Sequence, residues 1–288
     1  MIKTVGFLGL GTVGRHMATN LLKGNYALTV YDSDPSIVAE LVSQGASGAA
    51  TPRELAKGKD IVIVIRPEKE RLRPDLYGDN GIFAGIDPGS ILVDMGTHSL
   101  ESTLEMADEA VKHRVMFLDA PVWGTKEHAA HGLLTILAGG DPGLVGRCRE
   151  IFSFFGLNII QVGSIGDGTK MKFVVNLVQA EMMLTLAEGL TFGEKLGFSA
   201  DRILEVLDSG GVASPLFHSK GRSISRGDFT RNLALKYVNE QLQLVMEKAN
   251  LVNLELPVAE TVCKLYEQGV QDGRGEEDFS AVIKVLRK

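Results

Sequence analysis

A doubly wound, mostly parallel α/β unit followed by an all-helical unit is the architecture this sequence predicts, and three observations predict it. Short β-branched runs alternate with helical patterns over residues 1–162, the order that gives a parallel sheet with helices on both faces. From residue 169 the strand pattern stops and only helical patterns follow. Between them lies a turn with glycines at 163, 166 and 168, after which nothing breaks a helix until Gly189 and Gly193 weaken it and Gly197 ends it. We therefore expect a first unit over 1–164 and a second over 165–288, the second opened by a long helix at about 169–196. At 1.5 Å per residue such a helix spans roughly 40 Å, enough to bridge two domains.

Taken in order, the strand candidates are 5–8, 27–31, 61–65, 91–93, 116–118, 133–137 and 159–162. Val13, Met17 and Leu21 recur every fourth residue, as do Ile37 with Leu41 and Val38 with Val42, and mark the intervening helices. Thr51-Pro52-Arg53-Glu54 reads as a helix start, with Thr51 as cap and Glu54 closing a capping box. Later helical patterns occupy 170–196, 200–207, 233–250 and 257–271, with breaks at Gly210-Gly211 and at Gly221. No internal repeat or low-complexity segment interrupts them.

Composition narrows the function classes. Charged residues at 23% and hydrophobic ones at 44% describe an ordinary soluble protein. A net charge of -6 with no basic tract argues against nucleic acid as a partner. Cys148 and Cys263 have no metal-type spacing and read as reduced structural thiols, and the first residues lack a signal-peptide pattern, so the cytoplasm is the expected compartment. Asn176, Gln179, Glu181 and Glu188 make the apolar helix at 169–196 too polar to span a bilayer, so no membrane association is expected. The six histidines show no ligand spacing, and no metal is expected.

The chemistry begins at Gly9-Leu10-Gly11-Thr12-Val13-Gly14, which follows a predicted strand and opens a predicted helix. That context is what a dinucleotide-binding fingerprint requires: a tight turn at Gly9, backbone approach to a pyrophosphate at Gly11, and close helix–strand contact at Gly14. The helix start then offers unpaired N–H groups to phosphate. Strand two ends at Asp32, near the offset of a ribose-binding acid, whose charge repels a 2′-phosphate. The expected cofactor is NAD in preference to NADP. Asp32 could instead cap the helix beginning at Pro35, although Ser33 and Asp34 are better placed to do so. Two further segments, 93–98 and 119–126, lie at predicted strand ends, where α/β proteins bind ligands. On the long helix Lys172, Asn176 and Gln179 share one face, and a lysine on so apolar a helix needs either a route to the surface or a function.

Together these pieces resemble the β-hydroxyacid dehydrogenases, a family with a Rossmann-type domain that includes 3-hydroxyisobutyrate dehydrogenases and glyoxylate/succinic semialdehyde reductases. GLGTVGRHMATNLL at 9–22, VDMGT at 93–97, DAPVWGT at 119–125, GDGTKMKFVVN at 166–176 and GRGEEDFSAV at 273–282 carry the resemblance over essentially the whole chain. The segments at 124–126 and 170–176 look most like the glyoxylate/succinic semialdehyde reductase branch. The resemblance implies a catalytic Lys172, with Asn176 orienting the substrate, Thr97 beside the nicotinamide end of the cofactor, and Gly124 and Thr125 at the substrate carboxylate. It implies reversible hydride transfer between NAD(H) and a short hydroxy acid or (semi)aldehyde, with Lys172 as general acid/base. Neutral Lys172 would need a lowered pKa, through burial and a nearby cation; Lys170 points roughly 200° away and is a poor source of one.

Four positions depart from the family pattern. Trp123 replaces the usual serine that hydrogen-bonds the substrate acid group. Glu240, with Gln241, replaces a Lys-Asp pair, so a positive charge expected near the cofactor becomes negative. Arg66 stands where a small or polar residue is common; it reads either as a solvated loop arginine or as a replacement for the lost cation near the cofactor. These departures leave two other readings in view. One is an imine-reductase-like enzyme, which Lys172 argues against because that group usually carries Asp or Tyr there. The other is a non-catalytic dinucleotide-binding module, which Lys172 and Asn176 also argue against. So apolar a helical half is expected to be covered in a homodimer or homotetramer.

Overall fold

The computed structural model describes residues 2–66 and 72–287. By contacts the chain divides into two compact units, Met1–Lys172 and Phe173–Lys288. The division falls after Lys172 rather than at 164/165, because the start of the long helix is hydrogen-bonded to the sheet of the first unit.

Among the described residues nine strands form one sheet in the first unit: β1 (Thr4–Leu8), β2 (Ala27–Tyr31), β3 (Ser47–Gly48), β4 (Ile61–Val64), β5 (Ile91–Asp94), β6 (Met116–Asp119), β7 (Val122–Trp123), β8 (Leu134–Gly139) and β9 (Gly156–Gly163). Their order is β3-β2-β1-β4-β5-β6-β8-β7, with β9 against β8. Pairings from β3 through β6 are parallel, whereas β8 runs antiparallel to β6 and β7. β4 and β5 are buried at every position, which is why they read as unbroken apolar runs rather than alternating ones. β3 and β7, at two residues each, are too short for periodicity to reveal. After β3 the chain returns to the other side of β1, so the strand order reverses between β1 and β4. An open α/β sheet binds ligands at such a switch point.

The helices of this unit are α1 (Gly14–Leu21), α2 (Pro35–Ser43), α3 (Pro52–Ala56), α4 (Leu72–Leu76), α5 (Leu100–Lys112), α6 (Lys126–Ala130) and α7 (Pro142–Phe152). Asp34, not Asp32, caps α2 by accepting from Ser36 N. Thr51 caps α3 by accepting from Glu54 N, but Glu54 reaches back to Ala50 N rather than to the cap residue itself.

The long helix α8 runs over Asp167–Lys195, followed by α9 (Ala200–Asp208), α10 (Pro215–Ser225), α11 (Leu235–Leu251), α12 (Pro257–Gly269) and α13 (Ile283–Leu286). By length and composition α8 could cross a membrane, contrary to the expectation from its polar residues. Its Met183, Leu186 and Leu190 lie instead in the core of the second unit with Leu242, Tyr266 and Phe279, as a core helix does. Gly221, expected as a break, is an interior residue of α10. A Cβ there would lie 2.2 Å from Leu204 Cδ2 on α9. Glycine costs a helix about 1 kcal/mol, but overpacking that contact would cost about 1–3 kcal/mol, so close helix approach wins. Asp278 anchors the end of this unit. It accepts from the buried Lys220 Nζ at 2.8 and 2.9 Å and from Ser280 Oγ at 2.7 Å, with longer bonds from Asn232 and Leu233 N–H.

Candidate active site

The turn after β1 is shaped by what a side chain would strike. Gly9 has φ +100°, and a Cβ on it would lie 2.1 Å from Ile65 O; a Cβ on Gly14 would lie 2.0 Å from Gly9 O. At Gly11 a Cβ would meet nothing within 4 Å, so that glycine faces open space. Leu10 is fully buried beneath the turn, while Thr12 and Val13 are half-buried. α1 begins with no side-chain cap at Val13 and no acidic residue in its first turn; Arg15 N–H and His16 N–H donate to Gly11 O and Val13 O, and the positive end of the helix is left facing the turn for an anion.

Asp32 stands at the end of β2 and faces this turn. Its Oδ2 accepts from Leu10 N at 2.7 Å, and its Oδ1 accepts from Asp34 N at 3.0 Å and Ser33 Oγ at 3.2 Å. Arg66, just past β4, is not a solvated loop residue. It is 7% exposed, with Nη1 3.5 Å from Asp32 Oδ2 and Nε 2.8 Å from Asp75 Oδ2 on α4. The contact with Asp75 is an ion pair without the alignment of a hydrogen bond. A buried arginine is stable only when its charge is met, and the two acids, from β2 and α4, meet it.

Further along the sheet edge, buried Asp94 at the end of β5 accepts from Gly96 N at 3.0 Å and contacts His98 Nε2 at 3.0 Å; it shapes the loop that carries half-buried Thr97. Asp119, at the end of β6, holds the start of α8. Its Oδ1 accepts from Gly166 N at 2.9 Å and its Oδ2 from Thr169 N at 2.8 Å. Thr169 and Thr103 hydroxyls are 3.0 Å apart beside it. Burial, opposed by those two N–H donors, still pushes the Asp119 carboxyl up to about 6.

That anchor fixes Lys172, one turn into α8. The side chain is buried, and its Nζ donates to Val122 O at 2.8 Å. Burial alone lowers its pKa from 10.5 to about 8, a shift equivalent to about 3 kcal/mol against the charged form. No neighbouring cation is involved: Lys170 is exposed and paired with Asp167 at 2.8 Å. Asn176, the next turn along the same helix and counted with the second unit, is also buried, and among the described residues its Nδ2 has no hydrogen-bond partner.

The loop after β7 carries the remaining residues. Trp123 is 44% exposed and opposes Thr135 across the β7–β8 pair. Gly124 follows it, and Thr125 caps α6 in a reciprocal box with His128, whose Nδ1 lies 3.1 Å from Thr125 N and 2.9 Å from Thr125 Oγ1. A carboxylate held by Thr125 must therefore displace His128. Glu240 lies half-buried on α11 in the second unit, where its charge helps raise the pKa of Lys236, which is paired mainly with Glu276.

Sequence reasoning gave no individual role to Asp119 or His98, although both lie in the segments 119–126 and 93–98 that it singled out, and it passed over Asp75. An acid closing a buried strand just before Ala-Pro was a visible signal for the first. The pairing of Asp75 with Arg66 and the ring contact of His98 with Asp94 had no such marker.

Two family matches cover nearly the whole chain. Residues 4–163 match the family described as the NAD binding domain of 6-phosphogluconate dehydrogenase, and residues 166–286 that described as the NAD-binding of NADP-dependent 3-hydroxyisobutyrate dehydrogenase. Glyoxylate/succinic semialdehyde reductase 1 of Arabidopsis thaliana is 32% identical over 283 residues, 98% of each chain. The chain belongs to the β-hydroxyacid dehydrogenase family. A solved member, the Mycobacterium tuberculosis 3-hydroxyisobutyrate dehydrogenase with L-serine, superposes with a TM-score of 0.89 at 27% identity, covering 100% of both chains. The cytokine-like nuclear factor N-PAC of Homo sapiens is 33% identical over 282 residues, 98% of this chain but 51% of that protein, so the chain spans about half the length of those relatives. As in other β-hydroxyacid dehydrogenases, the cofactor class is a nicotinamide dinucleotide. The uncapped start of α1, the space over Gly11 and Arg66 Nη2, which has no hydrogen-bond partner among the described residues, fit such a group.

Proposed function

We propose that this β-hydroxyacid dehydrogenase interconverts a short hydroxy acid and the corresponding aldehyde or semialdehyde, using NAD(H), with Lys172 as its acid/base. The observation that carries this reading is a buried lysine held to one carbonyl, with a pKa brought down to about 8. When bound, the nicotinamide supplies or accepts the hydride. Gly9, Gly11, Gly14 and the start of α1 would hold the phosphates, Asp32 the adenosine ribose, and Thr97 the nicotinamide end. In the reducing direction protonated Lys172 gives its Nζ proton to the developing alkoxide; in the oxidising direction neutral Lys172 takes the hydroxyl proton. Asn176, whose buried Nδ2 has no hydrogen-bond partner among the described residues, serves to orient the substrate. Gly124 and Thr125 serve the substrate carboxylate. Glyoxylate and succinic semialdehyde head the substrate panel because the Arabidopsis relative bears their names. Oxidation of NADH by purified protein with a panel of small aldehydes tests the reading; no turnover with any of them would leave a binding module.

Trp123 decides which member of that class is preferred. We expect Trp123→Ser to raise kcat/KM for glyoxylate or succinic semialdehyde relative to the native protein, because removing an indole enlarges a small pocket more than it changes charge. A variant that melts lower and loses all substrates alike would make Trp123 a packing residue instead. Phe192, Leu196, Phe198 and Val206 are exposed on the second unit, and we propose that a second copy covers them. Light scattering at the mass of a single chain would refute this.

A further inference from the structure

We propose that Asp75, acting through Arg66, sets the cofactor choice: it engages the guanidinium that would otherwise receive an adenosine 2′-phosphate, leaving a site fitted to a free ribose hydroxyl. The inference rests on the dinucleotide reading above and concerns residues outside the glycine turn. Arg66 follows β4 at the point where the strand order reverses, and its neighbour Ile65 lies against the turn so closely that Gly9 can carry no side chain. Arg66 is therefore at the ribose end of the site, beside Asp32, and is buried there.

An arginine at that place ordinarily favours NADP, since a guanidinium matches phosphate in charge and geometry. Here the charge is already spent. Among the described residues Arg66 already lies against two acids, Asp32 and Asp75, before any ligand arrives. A 2′-phosphate would add roughly −1.5 to −2 more. Geometry points the same way: Nε lies 2.8 Å from Asp75 Oδ2 and Nη1 3.5 Å from Asp32 Oδ2, so both acids sit against the guanidinium that a phosphate would have to reach. Nε and Nη2 have no hydrogen-bond acceptor among the described residues, and a neutral ribose hydroxyl oxygen can meet one of these donors without adding charge. Meanwhile Asp32 can accept the hydroxyl's own proton in place of its weaker partners, Ser33 at 3.2 Å and Arg66 at 3.5 Å.

Asp75 is thus a positioning residue for specificity, and its removal has a consequence that a purely structural role does not. Calorimetric dissociation constants for NADH and NADPH, with melting temperatures as a check on folding, provide the test. In Asp75→Asn the affinity ratio should move toward NADPH by about tenfold, because Arg66 is released to the phosphate. In Arg66→Met it should move the other way by a similar factor, and the double variant should lack the gain of Asp75→Asn. If Asp75→Asn does not fold, the Arg66→Met ratio alone decides. An unchanged ratio in the single variants, or a gain that survives loss of Arg66, overturns the proposal. Failure of the unsubstituted protein to bind either nucleotide would instead remove the cofactor reading, and this inference with it.

Discussion

Lys172→Ala is expected to lower turnover about a thousandfold or more, the usual worth of a positioned acid/base with its share of charge stabilisation, while NADH still binds. Nothing else on the buried start of α8 can replace the group, since Lys170 is exposed and engaged by Asp167. A companion variant separates chemistry from folding. Lys172→Met keeps much of the stem but drops a charge whose burial is unfavourable by about 3 kcal/mol at pH values well below 8, so it should melt no lower than the native protein. The pH profile follows from the same shift. Because the pKa is lowered to about 8, the proton is present below that value and lost above it. Reductive kcat/KM should therefore fall as pH rises through about 8, and oxidative kcat/KM should rise over the same interval. Near-normal turnover in Lys172→Ala, or parallel profiles in the two directions, would exclude Lys172 as the group that moves the proton.

Gly9→Ala and Gly11→Ala should fail in different ways. At Gly9 an alanine meets Ile65 O at 2.1 Å and must hold φ near +100°, so β1, the turn and the start of β4's loop have to shift together. Strain of about 1–3 kcal/mol plus overpacking of about 1–3 kcal/mol should lower the denaturation midpoint sharply and abolish nucleotide binding with it. At Gly11 the added methyl meets nothing in the free protein. Stability should stay within about 0.5 kcal/mol of native, while NADH affinity falls about tenfold or more because backbone can no longer approach the pyrophosphate. Denaturant titration and calorimetry on the pair check this. Equal destabilisation by both would mean that the open space over Gly11 is not where the phosphates go.

Much of this was legible in the sequence because it is periodic or local. Seven of the strands and the long helix announced themselves through β-branched runs and the absence of breakers, and Thr51 and Pro52 marked a helix start that exists. What stayed hidden depends on partners distant in the chain. Arg66 reads either as a solvated loop residue or as a cation near the cofactor until α4 brings Asp75 to it and the end of β2 brings Asp32. Gly221 reads as a break until Leu204 fills the space above it, and α10 is lost with it. Lysine 172 called for a cation to lower its pKa, yet desolvation is sufficient. Composition says nothing about how dry a position will be.

The acceptor for Lys172 is a main-chain carbonyl, that of Val122. No point substitution deletes a carbonyl, whereas a side-chain partner can be lost by a single base change. The orientation of the lysine is in this way insulated from mutational drift in the very loop that supplies it. Residue 123 can pass from serine to tryptophan, altering what the loop presents to solvent and substrate, while the oxygen one residue earlier stays where the strand pairing of Val122 with Ile136 puts it. Under the roles proposed for Lys172 and Trp123, proton transfer and substrate choice are then separately evolvable within two adjacent residues, and a lineage can explore new aldehydes without first losing its acid.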